Sequence, residues 1–184
     1  MNEIINTIKQ RRSIRNFESR QISEEELNAI IEAGIYAPSV HNSQPWHFTV
    51  IQNPDVINEI NAAAKEIMAT IEVDWIKKAG INPQFNIAYN APTLIVVSGK
   101  KEDQSWRITC AAAIQNILLA AESLKIGSVW IGFSVYAFKK PGLAQNIGIP
   151  DGYEPFHGIA LGYKKEGVSI PTPKRNNDVV NYIR

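Results

Sequence analysis

The stretch from Ser105, the expected N-cap, to about Ile126 constrains this chain more than any other. Cys110, Ala113, Ile114, Ile117, Leu118, Ala121 and Leu124 recur at helical spacing. Alanines at 111, 112, 113, 120 and 121 widen that apolar surface beyond a single stripe. A helix apolar over much of its circumference needs cover from several sides, so the segment predicts a central helix. Gln115 and Asn116 interrupt it, and it is too short and too polar to span a bilayer. A chain of 184 residues buries about 70% of its unfolded surface on folding. One domain over 1–184 is expected, with no repeat or linker.

The flanking segments supply both periods. Ile4, Ile5 and Ile8 mark a short first helix. Ser23 and Glu26 form a predicted capping box, followed by Leu27, Ile30, Ile31, Gly34 and Ile35 on one helical face. Residues 47–51 read as a strand, and Asn53-Pro54 start a further helix. Residues 72–92 read as an irregular excursion with room for a short helical turn. TLIVVS at 93–98 is a buried strand by its β-branched run. Gly127 is the expected cap of the central helix, with 128–132 extended. A short helix is expected over 139–147, a turn at 150–152 and a strand over 158–163. This order predicts an α+β fold with a mixed, mostly antiparallel sheet flanked by helices.

The net charge of +1 gives no reason to expect nucleic-acid binding. Met1 to Gln10 lacks the apolar core of a signal peptide. Cys110, the one cysteine, admits no internal disulfide, and a cytoplasmic protein is expected. His41, His47 and His157 lack metal-ligand spacing. There is neither a G-x-G-x-x-G nor a P-loop motif.

Three clusters carry candidate chemistry. Arg11, Arg12, Ser13 and Arg15 set three guanidiniums and a hydroxyl within five residues, a credible phosphate cradle. The competing reading is that these cations complement the C-terminal end of the first helix. The second cluster is the loop APSVHNSQPW at 37–46. Ser39, Asn42, Ser43 and Gln44 there can hydrogen-bond the edge of a planar heteroaromatic ring, or form an ordinary turn. In the third, Gly127 to Gly132, glycines permit close backbone approach to a ligand.

In this order the clusters resemble the FMN-dependent nitroreductase family over nearly the whole chain. RRSIRNF, APSVHNSQPWHFTVI, APTLIVV, AAAIQNILLAAESLKIGSVWIG, IPDGYEPFHGIALGY and PKRNNDVV carry the resemblance. It implies FMN as cofactor. Arg11, Arg12 and Ser13 would lie on the phosphate and ribityl chain, and Arg15 on the pyrimidine edge. Pro38, Ser39, Val40, Asn42 and Gln44 would line the ring. Trp130, Ile131 and Gly132 would pass the N5 side, and Lys174 and Arg175 would return to the phosphate. The family's usual Arg-x-Pro-Leu-Glu-Glu is here Arg175-Asn176-Asn177-Asp178, and Thr109 stands where an acidic residue is frequent.

The activity implied is ping-pong electron transfer from NADH or NADPH to a small-molecule acceptor such as a nitroarene or quinone. No catalytic side chain is implied beyond the flavin, and no metal, nucleic-acid or membrane partner. The partner implied is a second copy, with FMN in a large isologous interface. Dehalogenase-like and flavin-destroying members of the same superfamily, and a non-catalytic flavin binder, are the alternatives.

Overall fold

The computed structural model describes residues 2–167 and 170–184. At its centre is a four-stranded antiparallel sheet in the order β1 (Trp46–Ile51), β2 (Thr93–Lys100), β4 (Tyr153–Tyr163), β3 (Ile126–Ile131). The parallel component is confined to an isolated bridge between Ser13 and Ser128 at the β3 edge.

Strand β2 explains its own sequence. Leu94 and Val96 enter one core, while Ile95 and Val97 enter the other. A strand buried on both faces reads as an unbroken apolar run rather than an alternation. One layer holds α3 (Pro54–Met68), α4 (Asp74–Ile81), α6 (Ser134–Ala137) and α7 (Leu143–Asn146). The other holds α2 (Glu24–Ile35) and α5 (Trp106–Ser123), and α1 (Glu3–Gln10) lies beside α5. Helix α5 buries Trp106, Thr109, Cys110, Ala113, Ile114, Ile117, Leu118 and Ala121, a stripe of alternating three- and one-residue steps. Its opposite side carries Ile108, 79% exposed.

Local chemistry sets the helix starts. Ser23 accepts from the Glu26 N–H at 3.2 Å, and Glu26 accepts from the Ser23 N–H at 2.8 Å, completing the expected box. Asn53 accepts from the Asp55 N–H at 2.9 Å beside Pro54.

Four expectations are corrected. Residues 72–92 contain a regular eight-residue helix, α4. The short helix expected over 139–147 is confined to α7 at Leu143–Asn146, because Pro141 and the left-handed Gly142 (φ +80°) stand before it and set it apart from α6. The left-handed residue ending α5 is Lys125 (φ +62°) rather than Gly127. Gly127 lies inside β3, where a Cβ would come within 2.9 Å of Ile14. Ser105 begins α5 without a side-chain cap and instead donates to the Asp103 carboxylate at 2.6 Å.

Candidate functional site

The Arg11–Arg15 segment leaves α1 and is pinned at once to the sheet. The Ile14 N–H donates to the Ser128 carbonyl at 2.9 Å, beside the Ser13–Ser128 bridge. That anchor holds the arginines at the β3 edge, where the C-terminal tail returns. Arg11, Arg12, Ser13 and Arg15 line one cavity of about 300 Å³ with Ile170, Pro171, Pro173 and Arg175. No carboxylate among the described residues lines it. Cations left unneutralised in a concave site favour an anion.

The arginines differ in what they do. Arg12 turns back on α1: its Nη1 donates to the carbonyls of Lys9 at 2.7 Å, Gln10 at 3.0 Å and Arg11 at 2.9 Å. Its Nη2 reaches the Thr172 hydroxyl, tying the tail to the helix end. For Arg12, then, the helix-end reading is correct. The Arg11 guanidinium forms no hydrogen bond or ion pair among the described residues, so its donor fork is available. Arg15 is held on two sides, with Nε donating to the Tyr89 hydroxyl at 3.3 Å and Nη1 to the Ser13 carbonyl at 3.4 Å.

Of the tail cations, Arg175 lines the cavity and Lys174 does not. In β3, Trp130 is half-buried between Phe156 and His157, and Ile131 is buried in the core. Only the backbone of Ile131 is therefore available to a ligand at this edge. Gly132 faces open space, since a Cβ there would meet nothing within 4 Å. Phe133 follows, edge to face with Phe85.

The loop 38–44 is elsewhere. It precedes β1, the opposite edge strand, and its far end is tied to β2 by the Lys100 N–H donating to the Pro45 carbonyl. Ser128 pairs with Leu161, and Leu161 with Thr93, beyond the partner of Ile51. Trp46 lies at the far end of β1 and three strands away, ~25 Å from Ser128 by ordinary strand spacing and rise. No residue of 38–44 lines the arginine cavity. One chain therefore does not bring the two expected halves together.

The loop itself is strained. His41 (φ +51°), Asn42 (φ +54°) and Gln44 (φ +44°) are all left-handed non-glycine residues. Such conformations cost of order 1–3 kcal/mol each and persist where structure over-determines them. Here the Ser39 hydroxyl accepts from the Gln44 N–H at 3.1 Å, and the Ser39 carbonyl from the Asn42 N–H at 3.1 Å. The side chains of Pro38, Val40, Asn42 and Gln44 stay exposed.

Two titrating groups are perturbed nearby. Burial pushes the Cys110 thiol up to about 12, which makes it a packing residue rather than a nucleophile. Burial also holds His157 below its ordinary value, opposed by a hydrogen bond to the Ile131 backbone. Sequence reasoning missed Tyr89 and Thr172, the side chains that hold Arg15 and Arg12. The order of the arginines and the tail was readable, but a long-range hydroxyl partner leaves no local signature.

Fold and site together define an α+β chain with a cationic cavity at a sheet edge. Residues 8–163 match the nitroreductase family, and the chain belongs to it. A protein of Archaeoglobus fulgidus provisionally named NADH dehydrogenase/NAD(P)H nitroreductase is 34% identical over 171 residues, covering 90% of this chain and 88% of that one. A solved nitroreductase with bound FMN from Bacteroides fragilis is 34% identical, with a TM-score of 0.93 and both chains fully covered. Another with bound FMN, from Desulfitobacterium hafniense, is 29% identical at a TM-score of 0.91, again with full coverage of both. Among the described residues no helix is long and apolar enough to cross a membrane.

Proposed function

We propose that this chain is an FMN-dependent NAD(P)H oxidoreductase that reduces small acceptors such as nitroarenes or quinones by a ping-pong mechanism. One observation carries the reading: a cavity lined by Arg11, Arg15 and Arg175 and by no carboxylate among the described residues, in a chain 34% identical over its full length to an FMN-bound nitroreductase. When bound, FMN would supply hydride transfer at N5, between nicotinamide and acceptor. The chain supplies binding and electrostatics. Arg11 and Arg175 offer free donor forks to the phosphate, and Ser13 adds a hydroxyl. Arg12 ties the end of α1 to the tail at Thr172 and so braces the segments that carry them. Arg15 sets positive charge at the pyrimidine edge, where it would favour the reduced flavin. The open backbone around Gly132 leaves room for the ring.

The working unit is a homodimer in which residues 1–184 of each copy form one domain. Two facts support it. Pro38, Ser39, Val40, Asn42 and Gln44 lie far from the arginines of their own chain, so they would complete the site of a second copy. Helix α1 buries none of its residues, and Ile4, Ile5 and Ile8 are 67%, 43% and 47% exposed. An eight-residue helix is too short to stand on propensity alone, so an apolar cover is expected. The lone buried Cys110 suits a reducing compartment such as the cytoplasm.

The purified protein tests the reading. It should be yellow, release one FMN per chain on denaturation, and, with oxygen excluded, turn over NADH or NADPH only when a quinone or nitroarene is present. A colourless protein that takes up no added FMN contradicts it.

A further inference from the structure

Tyr89 occupies an unfavourable backbone. It and Asn90 both sit at φ +56°, the left-handed region that favours glycine. Local hydrogen bonds impose this conformation. The Tyr89 N–H donates to the Asn86 carbonyl at 3.0 Å, and the Ala91 N–H to the Ala88 carbonyl at 3.0 Å. Asn86 accepts from the Ala88 N–H at 2.8 Å and donates to Asn90 at 2.9 Å. The Ile87 N–H, donating to Asn61 on α3 at 2.9 Å, fixes the whole turn to the core.

A tyrosine has what glycine lacks at such a position, a ring and a hydroxyl, and both are engaged. The ring meets Phe85 edge to face at 6.3 Å and lies 5.6 Å from the Arg15 guanidinium carbon. The hydroxyl accepts from Arg15 Nε at 3.3 Å. With Nη1 on the Ser13 carbonyl, Nη2 is left uncommitted and its direction is fixed. An exposed arginine otherwise samples many rotamers, and ordering them costs free energy at the moment of binding.

We propose that Tyr89 is a positioning residue that holds the Arg15 guanidinium toward the flavin pyrimidine edge, so that the charge of Arg15 favours the reduced cofactor. The inference rests on the FMN reading of the Arg15 cavity. It assigns to the 72–92 segment a part in setting the flavin potential.

The test compares FMN-loaded wild type, Tyr89→Phe, Arg15→Gln and the double variant by redox titration, with FMN retention and Tm measured alongside. Tyr89→Phe keeps the ring, the Phe85 contact and the backbone demand, so Tm and retention should hold. The preference for reduced over oxidised flavin should fall about threefold, which lowers the potential by about 14 mV at ~30 mV per tenfold for two electrons. The double variant should titrate with Arg15→Gln, because Tyr89 then has nothing to position. A wild-type potential in Tyr89→Phe beside a lowered one in Arg15→Gln overturns the inference alone. Additive shifts in the double variant also overturn it. An unmoved potential in Arg15→Gln removes the flavin-edge reading and the inference together.

Discussion

The two corners of the sheet are built in opposite ways. At the β3 edge, the arginine segment is bonded to the strand backbone and braced by the tail through Arg12 and Thr172. Its cavity is present in one chain. At the β1 edge, the loop 38–44 holds three strained residues in place and points most of its side chains into solvent. The first corner is a concave cationic pocket. The second is a preformed wall that contributes nothing to that pocket. The difference teaches how one subunit can carry two separate halves of the proposed site, which a second copy would join.

The largest test of this contrast separates neighbouring arginines. Arg11→Ala should weaken FMN binding by about 1.5–3 kcal/mol, the size of a lost charge-assisted hydrogen bond, with Tm nearly unchanged. Arg12→Ala should mainly lower Tm, because it frees three helix-end carbonyls. FMN dissociation constants and thermal melts check both. Equal loss of FMN in the two variants, with no stability difference, would erase the distinction.

Assembly comes next. Ile4→Asp places a charge on the uncovered face of α1, and light scattering should show a shift from dimer toward 20.5 kDa monomer. FMN should be lost with it, although no contact of the arginine cavity is touched. A monomer that keeps its flavin would mean that one chain suffices.

A smaller effect sharpens the β3 corner. Arg15→Gln should remain yellow, since Arg11, Ser13 and Arg175 are intact. Its flavin potential should fall by about 30 mV, the two-electron equivalent of 1.4 kcal/mol. Spectroelectrochemical titration reads this directly, and an unchanged potential would take Arg15 off the ring.

The smallest effect is one of pH. The folded pKa of His157 lies below its ordinary 6.5 because burial disfavours the charged ring. As pH falls below about 6.5 the unfolded chain takes up the proton first, so stability declines until the folded value is passed. Glu26 adds a second loss at lower pH. Its carboxylate is held below its ordinary 4.5 chiefly by the Tyr163 hydroxyl and the Ser23 backbone. Thermal melts against pH should be flat from 6.5 to about 8 and fall below 6.5. His157→Gln should flatten the upper part of that fall.

Much of this was legible in the sequence, for identifiable reasons. The α2 start was readable because a capping box is local chemistry. Strand β2 was readable because two-sided burial leaves an unbroken β-branched run. The arginine cluster was readable by density, but not the split between Arg11 and Arg12, which depends on where the chain turns after α1. The extent of helix α4 escaped because Gly80 within it and Pro83 just after it mask a short period. The break between α6 and α7 turns on Gly142, whose handedness no composition reveals. Tyr89 escaped for the same reason, since nothing in a tyrosine announces a left-handed backbone.

Co-expression of two inactive variants tests the shared site most directly. One chain carries Arg11→Ala with Arg175→Ala, the other a disrupted loop, Ser39→Ala with Asn42→Ala, and distinct affinity tags isolate the mixed dimer. If each site joins the arginines of one chain to the loop of its partner, one site in the mixed dimer carries all four substitutions and the other carries none. The account predicts one tightly held FMN per dimer and recovery of about half the activity, where both parent homodimers have little. If arginines and loop of the same chain act together, both sites stay damaged. A mixed dimer as flavin-poor as its parents would contradict the account.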